Sequence, residues 1–413
     1  MMLGWLPRPV LARARIVPEG REQVIVTDEP EPAVDALVAR SAAAQESIAG
    51  WAEDQIDALI TALAAQIAAR AEELAAATVA ETRIGCVADK AVKNRFASLG
   101  VARSLTGKPG VGVVGGSGPD ALTEIAEPMG VIVGLIPVTN PVATLVFKAL
   151  ICIKARDALI ASCHRDAAGV GARTVGLLRQ VLARHGAGVD LVQAVPRRPT
   201  RQVTTALMRH PGVAMILATG GTAMVKAAYS SGTPAIGVGP GNAPAWVCAD
   251  ADLEAAARMV VASKAFDHGL ICGSENSLVV DRSVRETFIG ALRQAGSAVL
   301  DAAGCERLAR VAFDGEHLSR AVLGQAAAAI AAQAGIEVPD GVRLLVVPLP
   351  RGAMQGPFGK EKLAPILPLF TSTARTTASA FACGSSATAA PVIRRSSTPA
   401  ASGFSCPSRG RCR

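Results

Sequence analysis

MGVIVGLIPVTNPVATLVFKALICIKARDALIA, residues 129–161, is the stretch whose reading decides the fold. Its first nineteen residues, Met129 to Phe147, carry no charge and match the length of a membrane span. Pro137 and Pro141 break that span around Val138, Thr139 and Asn140, where a lipid-facing helix would leave backbone groups unpaired. A buried strand, a turn and a buried helix fit better. Val131 to Ile136 is a continuous apolar run, as a strand covered on both faces requires. Asn140-Pro141 reads as a cap followed by proline at the first helical position. The helix after it sets Val142, Leu145, Val146, Ala149, Leu150 and Ile153 on one stripe, and Ala158 to Ala161 returns as a second strand.

The same alternation extends downstream. Arg173 to His185 reads as helix, Leu191 to Val195 as strand and Val213 to Ala218 as another buried strand. Thr219-Gly220-Gly221 then turns into a helix from about Thr222 to Ser230. Such repetition predicts an α/β protein with an open, mostly parallel sheet and helices on both faces. Upstream, residues 31–78 are Ala-rich, with Ile56, Leu59, Ile60, Leu63 and Ile67 at helical spacing, and predict two or three helices. Gly110 to Gly115 is formally GxGxxG, but no helix can open at Gly116-Ser117-Gly118-Pro119, so a hairpin or exposed loop is expected.

A second unit begins near Ala249. Leu253 to Lys264 reads as helix, Asp267 to Ser274 as loop, Ser277 to Val280 as strand and Val284 to Leu300 as helix, with a further strand near Arg343 to Val347. Gly237 to Asn242 reads as a tight crossing between the two units.

At 413 residues the chain is long enough for two or three domains with real cores. A 50% hydrophobic content excludes general disorder, and 3% aromatic content argues against a stacking platform for single-stranded nucleic acid. The net charge of +8 is concentrated at one end. Residues 371–413 hold six arginines and no acid, which leaves 36 basic against 34 acidic residues before them. The basic character thus belongs to a tail, and no charged face for nucleic acid is expected. Fifteen of the 43 tail residues are Ser or Thr and no hydrophobic period persists, so disorder is expected from Thr371 to Arg413, as is an origin in a shifted reading frame.

Nine cysteines without a CxxC, and no Cys/His cluster at zinc spacing, point to a reducing, cytoplasmic setting with no metal site. The first thirty residues read as an extension; Pro7 and Pro9 interrupt any secretory signal.

Cys272 is the most suggestive thiol. It lies in a loop with Gly269 and Gly273 either side, where the backbone can turn tightly and a substrate can approach sulfur; the alternative is a small buried hydrophobe. Asn140 offers an amide for a developing oxyanion, or only a helix cap. Thr219, Gly220 and Gly221, between strand and helix, form a phosphate seat or a plain tight turn. His268, four residues before Cys272, either assists its thiol or steadies the loop.

Taken together, PMGVIVGLIPVTNP (128–141), ILATGGTAMVKAAYSSGTPAIGVGPGNAP (216–244), FDHGLICGSEN (266–276), GKEKLAPILPLF (359–370) and ETRIGCVADKAVKNRFAS (81–98) resemble the CoA-acylating aldehyde dehydrogenases. These include the aldehyde half of bifunctional aldehyde–alcohol dehydrogenases. The resemblance covers about residues 33–370. It implies the aldehyde dehydrogenase superfold, with a nicotinamide-cofactor domain at 31–248 and a catalytic domain at 249–370 that is incomplete at its end. It implies a cytoplasmic homodimer or homotetramer. It makes Cys272 the nucleophile and Asn140 the oxyanion donor, with the Cys272 backbone N–H as its partner. Thr219, Gly220 and Gly221 fall near the cofactor pyrophosphate, Glu361 at the nicotinamide ribose, and Ser162 and His164 at the adenosine end. The implied reaction turns a small aldehyde, such as acetaldehyde or sulfoacetaldehyde, into an acyl-CoA with NAD or NADP.

One departure within that resemblance bears on the acyl acceptor. Hydrolytic aldehyde dehydrogenases carry a glutamate where this chain has Gly237. Without a base aimed at water, a thiol such as CoA is the better acceptor. The alternatives are a truncated, catalytically impaired relic and a non-acylating semialdehyde dehydrogenase.

Overall fold

The computed structural model describes residues 30–116, 122–196, 199–372 and 392–393. The first part is helical, as the Ala-rich spacing predicts: α1 (Pro30–Ala49), α2 (Glu53–Ala69), α3 (Ala71–Thr82) and α4 (Val87–Arg95). A single π-turn, Phe96–Gly100, joins α4 to α5 (Val101–Leu105). Ile56, Leu59, Ile60, Leu63 and Ile67 of α2 are all fully buried, and each such side chain contributes roughly 2 kcal/mol of burial. The Gly-rich patch forms an antiparallel ribbon, β1 (Gly112–Gly115) with β2 (Glu124–Ala126). The GxGxxG pattern therefore ends on a strand and opens no helix.

The strand–helix alternation follows: β3 (Val131–Ile136), α6 (Pro141–Lys154), β4 (Ala158–Cys163), α7 (Ala168–Arg184), β5 (Val192–Ala194), α8 (Arg201–Arg209), β6 (Met215–Thr219), α9 (Thr222–Tyr229) and β7 (Ala235–Val238). These strands make a parallel sheet in the order β5-β4-β3-β6-β7. Helices α2, α6 and α7 cover one face, while α1 and α8 cover the other. Strand β6 differs from expectation: it starts at Met215, and only Ile216 and Ala218 are buried, in the cluster that also holds Ala228 of α9, while Met215 and Leu217 are half-buried on the opposite face. Strand order reverses between β3 and β6, and the crevice of such a sheet opens at the carboxyl ends of those two strands.

Residues 239–242 carry the chain to a second sheet, built from β8 (Ala243–Val247), α10 (Leu253–Ala265), β9 (Glu275–Asp281), α11 (Arg285–Gln294), β10 (Ser297–Val299), α12 (Ala302–Ala312), the short pair β11 (Phe313–Asp314) and β12 (His317–Leu318), α13 (Ala327–Gln333), β13 (Leu344–Pro348), β14 (Ile366–Ser372) and β15 (Val392–Ile393). Six strands lie parallel in the order β10-β13-β14-β9-β8-β15. Helices α10 and α11 pack on one face, α12 and α13 on the other.

Two further expectations need correction. The helix predicted from Val284 to Leu300 stops at Gln294, because Gly296 takes φ +97° and turns the chain into β10. The boundary predicted at Thr371 also moves. Thr371 and Ser372 complete β14, held by β9, and Val392 and Ile393 pair with Trp246 and Val247 of β8. The remainder of the predicted disordered tail lies outside the described residues. Among the described residues no helix is long and apolar enough to cross a membrane; the uncharged run 129–147 is β3, a turn and part of α6.

Candidate active site

The loop between α10 and β9 carries Cys272. Asp252 caps α10, its Oδ1 accepting from Ala255 N at 3.0 Å. Past the end of α10 the chain passes through three consecutive left-handed residues: Asp267 (φ 47°), His268 (φ 53°) and Gly269 (φ 78°). That conformation costs a non-glycine residue about 1 kcal/mol. Fixed contacts hold it. Asp267 is fully buried; Oδ1 accepts from Cys86 N at 2.7 Å, and Oδ2 accepts from Lys90 at 3.0 Å and Lys93 at 2.5 Å. The Asp267 N–H donates to Asp89 Oδ2 at 2.7 Å. Gly85 is required opposite, since a Cβ there would stand 2.2 Å from Asp267 Oδ1. His268 Nδ1 lies 3.2 Å from the Gly324 carbonyl oxygen, which supports its role in steadying the loop.

Beyond these turns Cys272 is exposed, whereas Cys152, Cys163, Cys248 and Cys305 are buried and Cys86 is half-buried. Burial pushes the Cys163 thiol up to about 12 and the Cys305 thiol to about 11, so neither supplies thiolate near neutral pH.

Asn140 precedes α6 but makes no side-chain cap. The amide is engaged elsewhere. Oδ1 accepts from Lys93 Nζ at 2.6 Å, and Nδ2 donates to the Leu270 carbonyl at 3.3 Å. The turn after β3 is thereby tied to a residue two positions before Cys272.

Glu361 approaches from the other side. Its Oε1 accepts from Gly241 N at 3.1 Å, and a Cβ on Gly241 would lie 3.0 Å from the Cys272 carbonyl oxygen. Burial raises the Glu361 carboxyl above the usual range, against the pull of the Gly241 N–H and of Lys264 and Lys362. Asn242 Nδ2 donates to the Gly359 carbonyl at 2.8 Å, and Asn276 Oδ1 accepts from Lys362 N at 3.0 Å. The structure thus brings Asn140 to the Cys272 loop through Leu270, and Glu361 to it through Gly241.

The other predicted residues line the carboxyl ends of the first sheet. Thr219 ends β6, the Gly220 N–H donates to the Val238 carbonyl at 3.2 Å, and Gly221 precedes α9 without a side-chain cap. The first turn of α9 therefore keeps amide donors for a bound group, and a Cβ at Gly221 would meet open space. Ser162 ends its reach at Thr204, Oγ to Oγ1 at 3.1 Å. His164 Nδ1 accepts from Asp166 N at 3.2 Å, and burial lowers its pKa. Gly237, in β7, donates its N–H to the Tyr229 hydroxyl at 3.0 Å. A Cβ there would lie 2.6 Å from Val225 Cγ1, so this place is closed to a carboxylate as the chain now packs.

Sequence reasoning missed the lysines. Lys148 of α6, beside the apolar stripe and not among its six residues, donates to the Leu135 carbonyl at 2.8 Å and the Leu217 carbonyl at 2.7 Å. It bridges β3 and β6 beneath the crevice, and burial lowers its pKa to about 7. Lys90, Lys93 and Asp267 lie within the quoted motifs, but their distant partners gave no local signal.

The chain is similar to known proteins along most of its length. The model of the "Aldehyde dehydrogenase family" matches residues 16–302. The bifunctional aldehyde-alcohol dehydrogenase AdhE of Escherichia coli K12 is 37% identical over 337 residues, covering 82% of this chain and 38% of AdhE. The chain therefore spans about two fifths of that relative's length. A sulfoacetaldehyde dehydrogenase from Acholeplasma sp. is 35% identical, covering 81% of this chain and 70% of the relative. The crystal structure of an acetylating aldehyde dehydrogenase from Geobacillus thermoglucosidasius superposes with a TM-score of 0.82 at 37% identity, covering 86% of this chain and 78% of that one.

Proposed function

The chain belongs to the aldehyde dehydrogenase family, in its CoA-acylating branch, and from that premise we propose that it oxidises a small aldehyde to an acyl-CoA through a thioester on Cys272. The carrying observation is the Asn140 Nδ2 contact with Leu270, which sets an amide donor beside the loop of the exposed cysteine.

The Cys272 thiolate adds to the aldehyde carbonyl, and the carbonyl oxygen becomes an oxyanion. Asn140 Nδ2 and the Cys272 N–H are the donors for that charge. A bound NAD or NADP supplies the hydride acceptor. As the hydride leaves carbon, the oxyanion collapses to a carbonyl and sulfur is left in a thioester. Gly237 brings no base to activate water, so the CoA thiolate is the acceptor that releases Cys272 as acyl-CoA forms. The amides at the start of α9, with Thr219, Gly220 and Gly221, suit a pyrophosphate. Glu361 suits the nicotinamide ribose, and Ser162 and His164 mark the adenosine end.

The crossing at 239–242 supports a division into a cofactor unit and a catalytic unit that starts at β8, a few residues before the expected boundary between 31–248 and 249–370, and runs with β14 to Ser372. Val113, Val114, Leu122 and Ile125 are exposed on and beside the β1–β2 ribbon, which supports a homodimer or homotetramer that covers them.

The test is a steady-state screen of small aldehydes, acetaldehyde and sulfoacetaldehyde first, with and without CoA and with each nicotinamide. Acyl-CoA formation that requires CoA is expected. Rapid acid production without CoA contradicts the proposal.

A further inference from the structure

Two ammonium groups of α4, Lys90 and Lys93, are buried against the single carboxylate of Asp267. Lys90 also donates to the Thr139 carbonyl at 2.9 Å. Lys93 has a different second acceptor, Asn140 Oδ1, at 2.6 Å. Its Nζ also lies 5.8 Å from the Phe266 ring centroid, and the charges of Lys90 and Asp89 act on it as well. One side chain thus joins the strained turn before Cys272 to the amide beside it.

The two ends of a carboxamide have nearly the same shape, and neighbours decide which way it lies. An ammonium offers donors only, so Oδ1 faces Lys93 and Nδ2 is turned toward the Cys272 loop. The reversed amide would set donor against donor at Lys93 and oxygen against oxygen at Leu270. The charge at Oδ1 also polarises the amide and strengthens its N–H as a donor.

We infer that Lys93, seated by Asp267, is a positioning residue that holds the Asn140 amide with its N–H toward the oxyanion formed at Cys272. This rests on the proposed role of Asn140. Burial lowers the Lys93 pKa to about 8, while the Asp267 carboxylate at 2.5 Å favours the charged form. Asp267 keeps Lys90 and the Cys86 N–H as partners when Lys93 is replaced, so the turn before Cys272 retains its main anchors.

A double-mutant cycle on the full chain tests this. Lys93→Met removes the donor; Lys93→Gln keeps a donor and removes the charge. Each is made in the wild-type and the Asn140→Ala backgrounds, with kcat, KM, cofactor binding and thermal midpoint measured. Lys93→Met is expected to lower kcat roughly 10- to 100-fold with Asn140 present, a fraction of what a lost oxyanion donor costs. The loss falls below about twofold in the Asn140→Ala background, because the effect runs through the amide. Lys93→Gln shows the same pattern with a smaller loss, and the cycle closes on whichever variant folds. Equal losses in both backgrounds, or no loss with Asn140 present, overturn the inference alone. An Asn140→Ala enzyme with unchanged kcat overturns both the inference and the proposed role of Asn140.

Discussion

The Asn140 side-chain amide donates to the Leu270 carbonyl across 3.3 Å, joining residues 130 positions apart in sequence. Asn140 follows the central strand of the first sheet, and Leu270 lies two residues before Cys272 in the loop between α10 and β9 of the second unit. The contact fixes the amide proposed as oxyanion donor relative to the Cys272 loop without help from a ligand. Such preorganisation is what makes a hydrogen bond useful at the moment charge develops.

Asn140→Ala removes that donor while leaving Cys272 in place. The expected outcome is a kcat lower by about 10²–10³-fold, the range for one oxyanion donor. Stoichiometric alkylation of Cys272 should persist, which peptide mapping of the labelled protein checks.

The two glycines flanking Cys272 should respond differently. Gly269 has φ +78°, and a Cβ there would stand 2.4 Å from the Ala364 carbonyl carbon. Gly273 has open space around it. Gly269→Ala is expected to destabilise the protein by more than about 1 kcal/mol and to reduce turnover with it. Gly273→Ala should leave the denaturant midpoint nearly unchanged. Urea melts of the two variants make the comparison.

Gly237→Glu does not convert the enzyme into a hydrolase. The new Cβ meets Val225 and Tyr229, so the strand must shift before a carboxylate can enter. A lower thermal midpoint and no gain in CoA-independent acid are expected, read by thermal melts and an acid-release assay.

Lys148 gives a pH dependence of stability. Burial lowers its folded pKa to about 7, below the ordinary lysine value, while Cys163 and Cys152 nearby are held as thiols. Between pH 7 and about 10 the unfolded chain then binds more protons at this position than the folded one, so stability rises with pH across that window. Lys148→Met should remove this part of the slope. Urea melts of both proteins at pH 7 and pH 9.5 check it: the wild type should gain on the variant as pH rises.

The β3–α6–β4 unit was legible because unbroken apolar runs, an Asn-Pro start and a six-residue stripe all agree locally. The end of α11 was not. One glycine in an apolar context does not announce a positive φ, and the predicted helix ran through Gly296 into β10. At the site, Cys272 and Asn140 stood out by residue type and motif. Their supports did not: Lys93 and Asp267 are 174 positions apart and acquire meaning only when folding sets them 2.5 Å apart. Lys148 was hidden by its neighbours, since its buried ammonium is matched to backbone carbonyls that sequence does not display.

The central claim is that Cys272 holds the acyl group until a thiol removes it. Mass spectrometry of the full chain, incubated with aldehyde and oxidised nicotinamide cofactor and quenched before CoA is added, tests this most directly. An acyl mass increment on the Cys272 peptide that disappears rapidly with CoA, and slowly in buffer alone, is the predicted result. An unmodified Cys272 during turnover, or undiminished turnover in Cys272→Ala, would contradict it.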